Sequence, residues 1–184
     1  MSDESKKVSK RAGLAIRLSG LAITAGTYYL VYKTNLIPLP STLGIAERLG
    51  YTCKWLLLPG ISVLVAVIAV GRKRHEVGAP PLAGKENLIE VQKNILQNTI
   101  EQTSIITCGM LALAASAQTP AQMRFIPVAA ILFFLSRMAF KIGYEKNPNY
   151  RGFGMITNLF NAAFVYGTTL YLNLRYGLLV GLDQ

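Results

Sequence analysis

The sequence predicts an all-α fold, a polytopic membrane helix bundle. Of its 184 residues 52% are hydrophobic and only 15% charged, a balance that lies away from ordinary soluble domains. Five long apolar stretches, at about 13–32, 53–71, 95–117, 125–142 and 153–174, each approach the ~20 residues a helix needs to cross ~30 Å of hydrocarbon. The net charge of +10 is gathered in short clusters between these stretches. That placement marks membrane orientation and excludes the aromatic-interleaved basic patch of a nucleic-acid binder.

Taken in order, residues 1–11 read as a short disordered cytosolic tail carrying Lys6, Lys7, Lys10 and Arg11. Residues 12–34 form an N-terminal transmembrane helix. A cleaved signal peptide ending near "ITAG" is the alternative, but the apolar run continues through "TYYLVYK", beyond the length of a signal core. Tyr28, Tyr29 and Tyr32 fit an interfacial aromatic belt. Residues 35–52, "NLIPLPSTLGIAERLGYT", read as a proline-punctuated exterior loop with one helical turn near Ile45–Leu49. Four further helices fill residues 53–176, and 177–184 form an exterior tail. Within the four-helix part, the loop 72–87 holds Pro80–Pro81 and flanking glycines, which break any helix.

The basic clusters orient the bundle. Lys6, Lys7, Lys10 and Arg11, then Arg72, Lys73, Arg74 and Lys85, then Lys141, Lys146 and Arg151 alternate with flanks holding Lys33, Arg48 and Lys54, then Arg124, then Arg175. The positive-inside rule therefore puts the N-terminus in the cytosol and the C-terminus in a lumen or outside. Cys53 and Cys108 sit in or beside predicted spans, which points to apolar packing and to neither a disulfide framework nor a metal motif.

The third stretch extends back to about Leu88, and some thirty residues at 1.5 Å each make a helix of ~45 Å, longer than the hydrocarbon is thick. On a helical wheel Asn87, Glu90, Asn94, Gln97, Asn98 and Glu101 share one stripe roughly 100° wide. Deeper on that face come Ile105 and Cys108, so the stripe ends partway, as a cavity open to the cytosol would require. Thr99, Gln102 and Thr103 fall on other faces. The next helix offers Arg137, Phe140, Lys141 and Tyr144 at helical spacing, and the last carries Thr157, Asn158 and Asn161 in its first turns.

Polar groups within a span need partners. Interhelical hydrogen bonding that merely holds the bundle together is one reading of this constellation. The other is a ligand cleft, in which Arg137, Arg151, Arg74 and Lys73 meet carboxylates while Glu101 and Asn98 hold an ammonium or amide. A small peptide-like ligand fits that mixture. The single histidine, His75, has no catalytic or metal-binding arrangement around it in the sequence.

With these residues assembled, the last four helices, about residues 50–176, resemble the MAPEG superfamily, the membrane-associated proteins of eicosanoid and glutathione metabolism. The family's Arg-x-x-x-Asn-x-x-Glu pattern falls on Asn94, Asn98 and Glu101, with Asn94 in place of the arginine. "GRKRHEVGAPPL" is similar to the family's Arg-rich helix end followed by Pro-Pro-Leu, which places Lys73 and Arg74 where glutathione-using members hold or activate the thiol. "SRMAFKIGY" resembles the next helix, with Arg137 and Tyr144 at pocket positions and Phe140 in place of a frequent Tyr or His. Arg151 matches a position that holds a peptide carboxylate in some members. From Ser136 to "YRGFG", and in its extra N-terminal span, the chain is most similar to the divergent mattrin branch.

The resemblance implies a MAPEG-like four-helix core plus one extra N-terminal transmembrane helix, embedded in the lipid bilayer of an endomembrane compartment such as the endoplasmic reticulum, Golgi or endolysosome. It further implies glutathione as cofactor, bound between subunits of a homotrimer. Two functions remain in play. One is a non-enzymatic scaffold or trafficking and signalling regulator, with membrane-protein partners and a retained or degenerate glutathione-type pocket. The other is a glutathione-dependent transferase or peroxidase acting on lipophilic electrophiles, in which Arg74 stabilises the thiolate while Lys73, Gln97, Asn98, Glu101, Arg137, Tyr144 and Arg151 hold the tripeptide.

Overall fold

The computed structural model describes residues 3–34, 39, 44–80, 84–146 and 151–178. Its regular elements are all helical: α1 (Asp3–Lys33), α2 (Ile45–Trp55), α3 (Leu57–Glu76), a 3-10 turn (Glu86–Ile89), α4 (Glu90–Ser116), α5 (Pro120–Met123), α6 (Phe125–Lys146) and α7 (Gly152–Tyr176). Three segments, Gly13–Lys33, Ile45–Glu76 and Pro120–Lys146, are both long and apolar enough to cross a membrane. The other two expected spans, α4 and α7, have 27 and 25 residues. Their Asn, Gln and Thr residues lower the hydropathy, and they are the helices that build the polar site.

Three boundaries differ from the sequence reading. The expected disordered tail is helical from Asp3, and no Gly or Pro occurs before Gly13 to interrupt it. The second half of the expected 35–52 loop is helix α2, held because Arg48 and Thr52 are buried. The loop expected at 72–87 begins only after Glu76, so Arg72, Lys73 and Arg74 are helical. Residues 35–38 and 40–43 of the exterior loop, Pro81–Ala83, and residues 179–184 of the tail lie outside the described residues.

Two interruptions share a cause. The continuous run from Ile45 to Glu76 breaks at Leu56, and that from Pro120 to Lys146 breaks at Arg124. Each break lies three residues before a proline, Pro59 and Pro127. A proline has no N–H for the carbonyl four residues back, and its ring crowds that carbonyl.

Helix α6 is the centre of the bundle and packs on α7, α3, α4 and α1. Ile126, Val128, Ala129, Ala130 and Phe133 of α6 meet Ile106, Met110 and Leu113 of α4 and Val165 of α7 in a single apolar core. Outward faces carry exposed Leu14, Leu18, Leu64, Leu135 and Leu170, as a lipid-facing surface should. At Gly154 a side chain has no room: a Cβ there would run into the backbone of Ser136 and Phe140, so α7 touches α6 backbone to backbone.

Helix α1 docks on α7 and α6 and belongs to the bundle. Gly20 lets it approach Thr157, where a Cβ would stand 3.3 Å from the Thr157 nitrogen. The Tyr28 hydroxyl donates to Asn161 Oδ1 at 2.8 Å, and Asn161 Nδ2 donates to the Ala129 carbonyl at 3.0 Å, tying three helices together. The Tyr28 ring stacks on Phe164 at 3.7 Å. Two arginines close helix ends at the opposite side from the polar site. Arg48 donates to the Ala117 carbonyl after α4, and Arg124 Nη1 to the Tyr32 carbonyl of α1 at 3.2 Å. Cys53 and Cys108, expected to serve apolar packing, are free thiols exposed on the surface of the single chain.

Candidate functional site

At one end of the bundle α4, α6 and α7 diverge around a cleft of about 340 Å³. Helix α4 contributes Asn94, Gln97, Asn98 and Glu101, which repeat at three- and four-residue steps and so share a face. Helix α6 adds Phe140 and Tyr144, and the start of α7 adds Arg151 and Met155.

Arg137 stands directly behind this wall and is 2% exposed. Its Nη2 donates to Asn98 Oδ1 at 2.9 Å and to Thr99 Oγ1 at 3.2 Å. The guanidinium lies 4.1 Å from the Phe140 ring centroid, so Phe140, where the resemblance leads one to expect Tyr or His, supplies a cation–π face. No carboxylate pairs with Arg137 among the described residues, and its Nε and Nη1 have no hydrogen-bond partner there. Because Asn98 spends its oxygen on Arg137, its amide hydrogens are left for the cleft.

Glu101 accepts from Gln97 Nε2 at 2.8 Å, on the exposed face of α4. Arg151 is exposed at the rim, its guanidinium 5.2 Å from the Tyr144 ring centroid. The cleft thus combines one carboxylate, one rim cation, one buried cation acting through an amide, and a phenol. That set can hold a small ligand with more carboxylate than ammonium.

The sequence nominated eight residues, and the structure gathers six of them here: Gln97, Asn98, Glu101, Tyr144 and Arg151 as lining, Arg137 behind. Lys73 and Arg74 are not among the lining residues. Arg74 makes a two-pronged ion pair with Glu86, Nη1 to Oε1 at 3.0 Å and Nη2 to Oε2 at 3.2 Å, and Nη1 also reaches the Ala79 carbonyl at 3.3 Å. Lys93 joins the same carboxylate at 2.8 Å. Hydrogen bonds from Lys93 and then Arg74 hold the Glu86 carboxyl below its usual range. Within one chain Arg74 therefore fastens the loop after α3. Lys73 pairs with Glu76 at 3.0 Å and lines a second, smaller hollow between α3, α4 and α6.

Thr99 and Gln102, placed by the helical wheel on other faces, are both engaged. Thr99 is buried under Arg137, and Gln102 Oε1 accepts from Asn158 Nδ2 at 2.7 Å. The signal available in the sequence was the set of polar residues Thr157, Asn158 and Asn161 at the start of α7, which need partners one helix away.

Comparison with known proteins gives a family and no individual relative. No curated protein and no solved structure matches this chain. The model of the MAPEG family matches residues 51–171, from the second half of α2 into α7, and so spans every helix that lines the cleft. The protein is a membrane helix bundle, and its chain belongs to the MAPEG family.

Proposed function

We propose that this protein binds glutathione, or a thiol peptide of the same charge pattern, in the α4–α6–α7 cleft, and that it serves endomembranes as a scaffold or trafficking and signalling regulator. The observation that carries the binding half is Arg137, a buried cation without a carboxylate partner among the described residues, spent on fixing an amide donor at the cleft wall. Arg137 and Arg151 against Glu101 leave the region with one surplus positive charge. Glutathione carries two carboxylates and one ammonium at neutral pH, the matching surplus of opposite sign. The volume lies at the small end of ligand pockets, roughly 300–1,000 Å³.

The non-enzymatic half rests on Asn94 and Arg74. An uncharged amide lines the cleft where the family pattern has arginine, and Arg74 is committed to Glu86. The competing reading, a transferase or peroxidase, is favoured by one feature, the exposed Arg151 guanidinium at the rim, a cation that could lower the pKa of a bound thiol. The deciding experiment measures glutathione binding by the detergent-purified protein, then conjugation of a small electrophile, in the wild type, Arg74→Ala and Arg151→Ala. Binding without turnover supports the proposal. Turnover abolished by either substitution replaces the regulator with an enzyme, and no binding at millimolar glutathione overturns the pocket itself.

The family resemblance supports a homotrimer with its cleft at a subunit boundary, and the exposed face of α4 is consistent with it. Glu90, Asn94, Gln97, Glu101, Ser104, Cys108 and Ala112 are all exposed on the single chain. They follow one another at steps of three and four, the spacing of a helix–helix seam. Polar groups at membrane depth avoid lipid, so a second copy is the fitting cover. Oxidative crosslinking through Cys108 in a Cys53→Ser background should trap a linked pair, and its failure in membranes would count against this seam. The same orientation as before is proposed, with the cleft facing the cytosol. Arg48 and Arg124, which sit on the opposite side, cap helix ends there and so weigh little in the charge balance.

A further inference from the structure

The second hollow is separated from the cleft by α4 and α6. On α6, Phe140 and Tyr144 face the cleft while Lys141 and Glu145, turned by one residue, line the hollow. On α4, Gln92 lines it, and on α3 Arg72 and Lys73 do, with Ala69 as its apolar floor. Its volume is about 260 Å³.

Its depth and charge define its chemistry. Arg72 opens the first charged turn after the apolar run of α3, and Lys141 stands where the apolar run of α6 ends. The hollow therefore lies where hydrocarbon gives way to headgroups. Lys73 is paired with Glu76 at 3.0 Å and Lys141 with Glu145 at 2.9 Å. Arg72 is exposed, with no ion pair among the described residues. Three cations against two carboxylates leave a surplus of one positive charge, the complement of one phosphodiester. Directly toward the membrane, one turn from Arg72, comes exposed Ile68 on α3, while half-buried Met138 and Phe134 continue the Glu145 face of α6. A polar rim with one surplus positive charge above and an apolar track below match a lipid end to end.

We infer that this hollow binds the phosphodiester of a bilayer phospholipid of single negative charge, with Arg72 and Lys141 as its cations, Gln92 as an amide donor, and the acyl chain along Ile68 and Met138. The site is independent of the glutathione-type cleft and pins the cytosol-side ends of α3 and α6 to one lipid. The inference commits to a lipid because a soluble phosphate would have no use for the apolar track.

Native mass spectrometry of the full chain, purified in a neutral detergent, tests it with dioleoyl-phosphatidylglycerol, dioleoyl-phosphatidylcholine and glycerol 3-phosphate added in turn. Retention of the first over the second by about tenfold is expected for one charge-assisted contact set. The Arg72→Gln/Lys141→Gln variant should lose that preference while its melting temperature and the Arg175→Gln control stay as wild type. Should the double variant not fold, Ile68→Trp, which blocks the track and leaves every charge in place, must also weaken lipid retention. Equal retention of the two lipids, unchanged retention in the variants, or displacement of the lipid by glycerol 3-phosphate would each overturn the inference.

Discussion

Replacing Arg137 by methionine should separate binding from stability, with opposite signs. The side chain is 2% exposed and donates at 2.9 Å to Asn98 and at 3.2 Å to Thr99. The Thr99 contact, at 3.2 Å against 2.9 Å, is the longer and so the lesser of the two. The substitution therefore removes chiefly one charged hydrogen bond, about 1.5–3 kcal/mol, and the stacking on Phe140, about 0.5–2 kcal/mol. In return it removes the burial of a cation that lacks a counter-ion, a penalty of several kcal/mol. Thermal unfolding in detergent should thus leave the melting temperature unchanged or higher. Glutathione affinity, read by calorimetry, should fall about tenfold, because Asn98 loses the contact that orients its amide toward the cleft. Arg137→Lys keeps a charge that can reach Asn98 without the planar stack, and should recover part of the affinity. A methionine variant destabilised by more than about 2 kcal/mol, binding as the wild type does, would refute the reasoning and make Arg137 a structural residue.

Three further outcomes follow from the geometry. Tyr28→Phe deletes the hydroxyl bonded to Asn161 and should cost about 0.6–1.7 kcal/mol, the range for hydrogen bonds between membrane helices, measured as a shift in the SDS-unfolding midpoint; no shift would mean that α1 is held by apolar packing alone. Gly154→Val forces a side chain against the backbone of Ser136 and Phe140 and should lose about 1–3 kcal/mol or more in the same assay, because backbone cannot yield as a side chain would. The Glu86 carboxyl is held below its usual range in the folded state, so the ion pairs with Arg74 and Lys93 stabilise the loop at pH above the unfolded carboxyl value of ~4.3 and lose that contribution as the pH falls through the folded value. Proteolysis of the segment after Val77 should therefore quicken on acidification below about pH 4, and Glu86→Gln should be cleaved at one rate across that range.

The fold was legible because membrane burial writes itself into long apolar runs. All five spans were read from apolar stretches, and three of them, within Gly13–Lys33, Ile45–Glu76 and Pro120–Lys146, are the ones long and apolar enough in the structure to cross a membrane. Ends were less legible for a physical reason. Helix α2 extends past the single turn expected at Ile45–Leu49, and Arg48 within it reaches the carbonyl at the far end of α4, a contact across 69 positions of sequence that local pattern does not announce. The breaks at Leu56 and Arg124 could have been read from Pro59 and Pro127.

The site was legible as a face but not as a set of pairings. Asn94, Gln97, Asn98 and Glu101 follow from helical spacing, and all four line the cleft. The sequence puts Arg137 and Phe140 on one helix face, with Arg137 as a pocket residue; that their three-residue spacing lets the guanidinium lie on the ring emerges only from the structure. The phenylalanine that marks a departure from the family pattern is thus the surface on which an uncompensated cation rests. Arg74 illustrates the opposite limit. Its charge and the family resemblance of "GRKRHEVGAPPL" nominated it for a ligand, yet Glu86, twelve residues on and across a proline-containing loop, is the carboxylate it meets first. A helical wheel carries no information about what a turn brings back. If subunits do assemble around the α4 seam, the cations that complete each cleft must come from a neighbouring copy or from Arg151, since within a single chain Arg74 is already committed to Glu86.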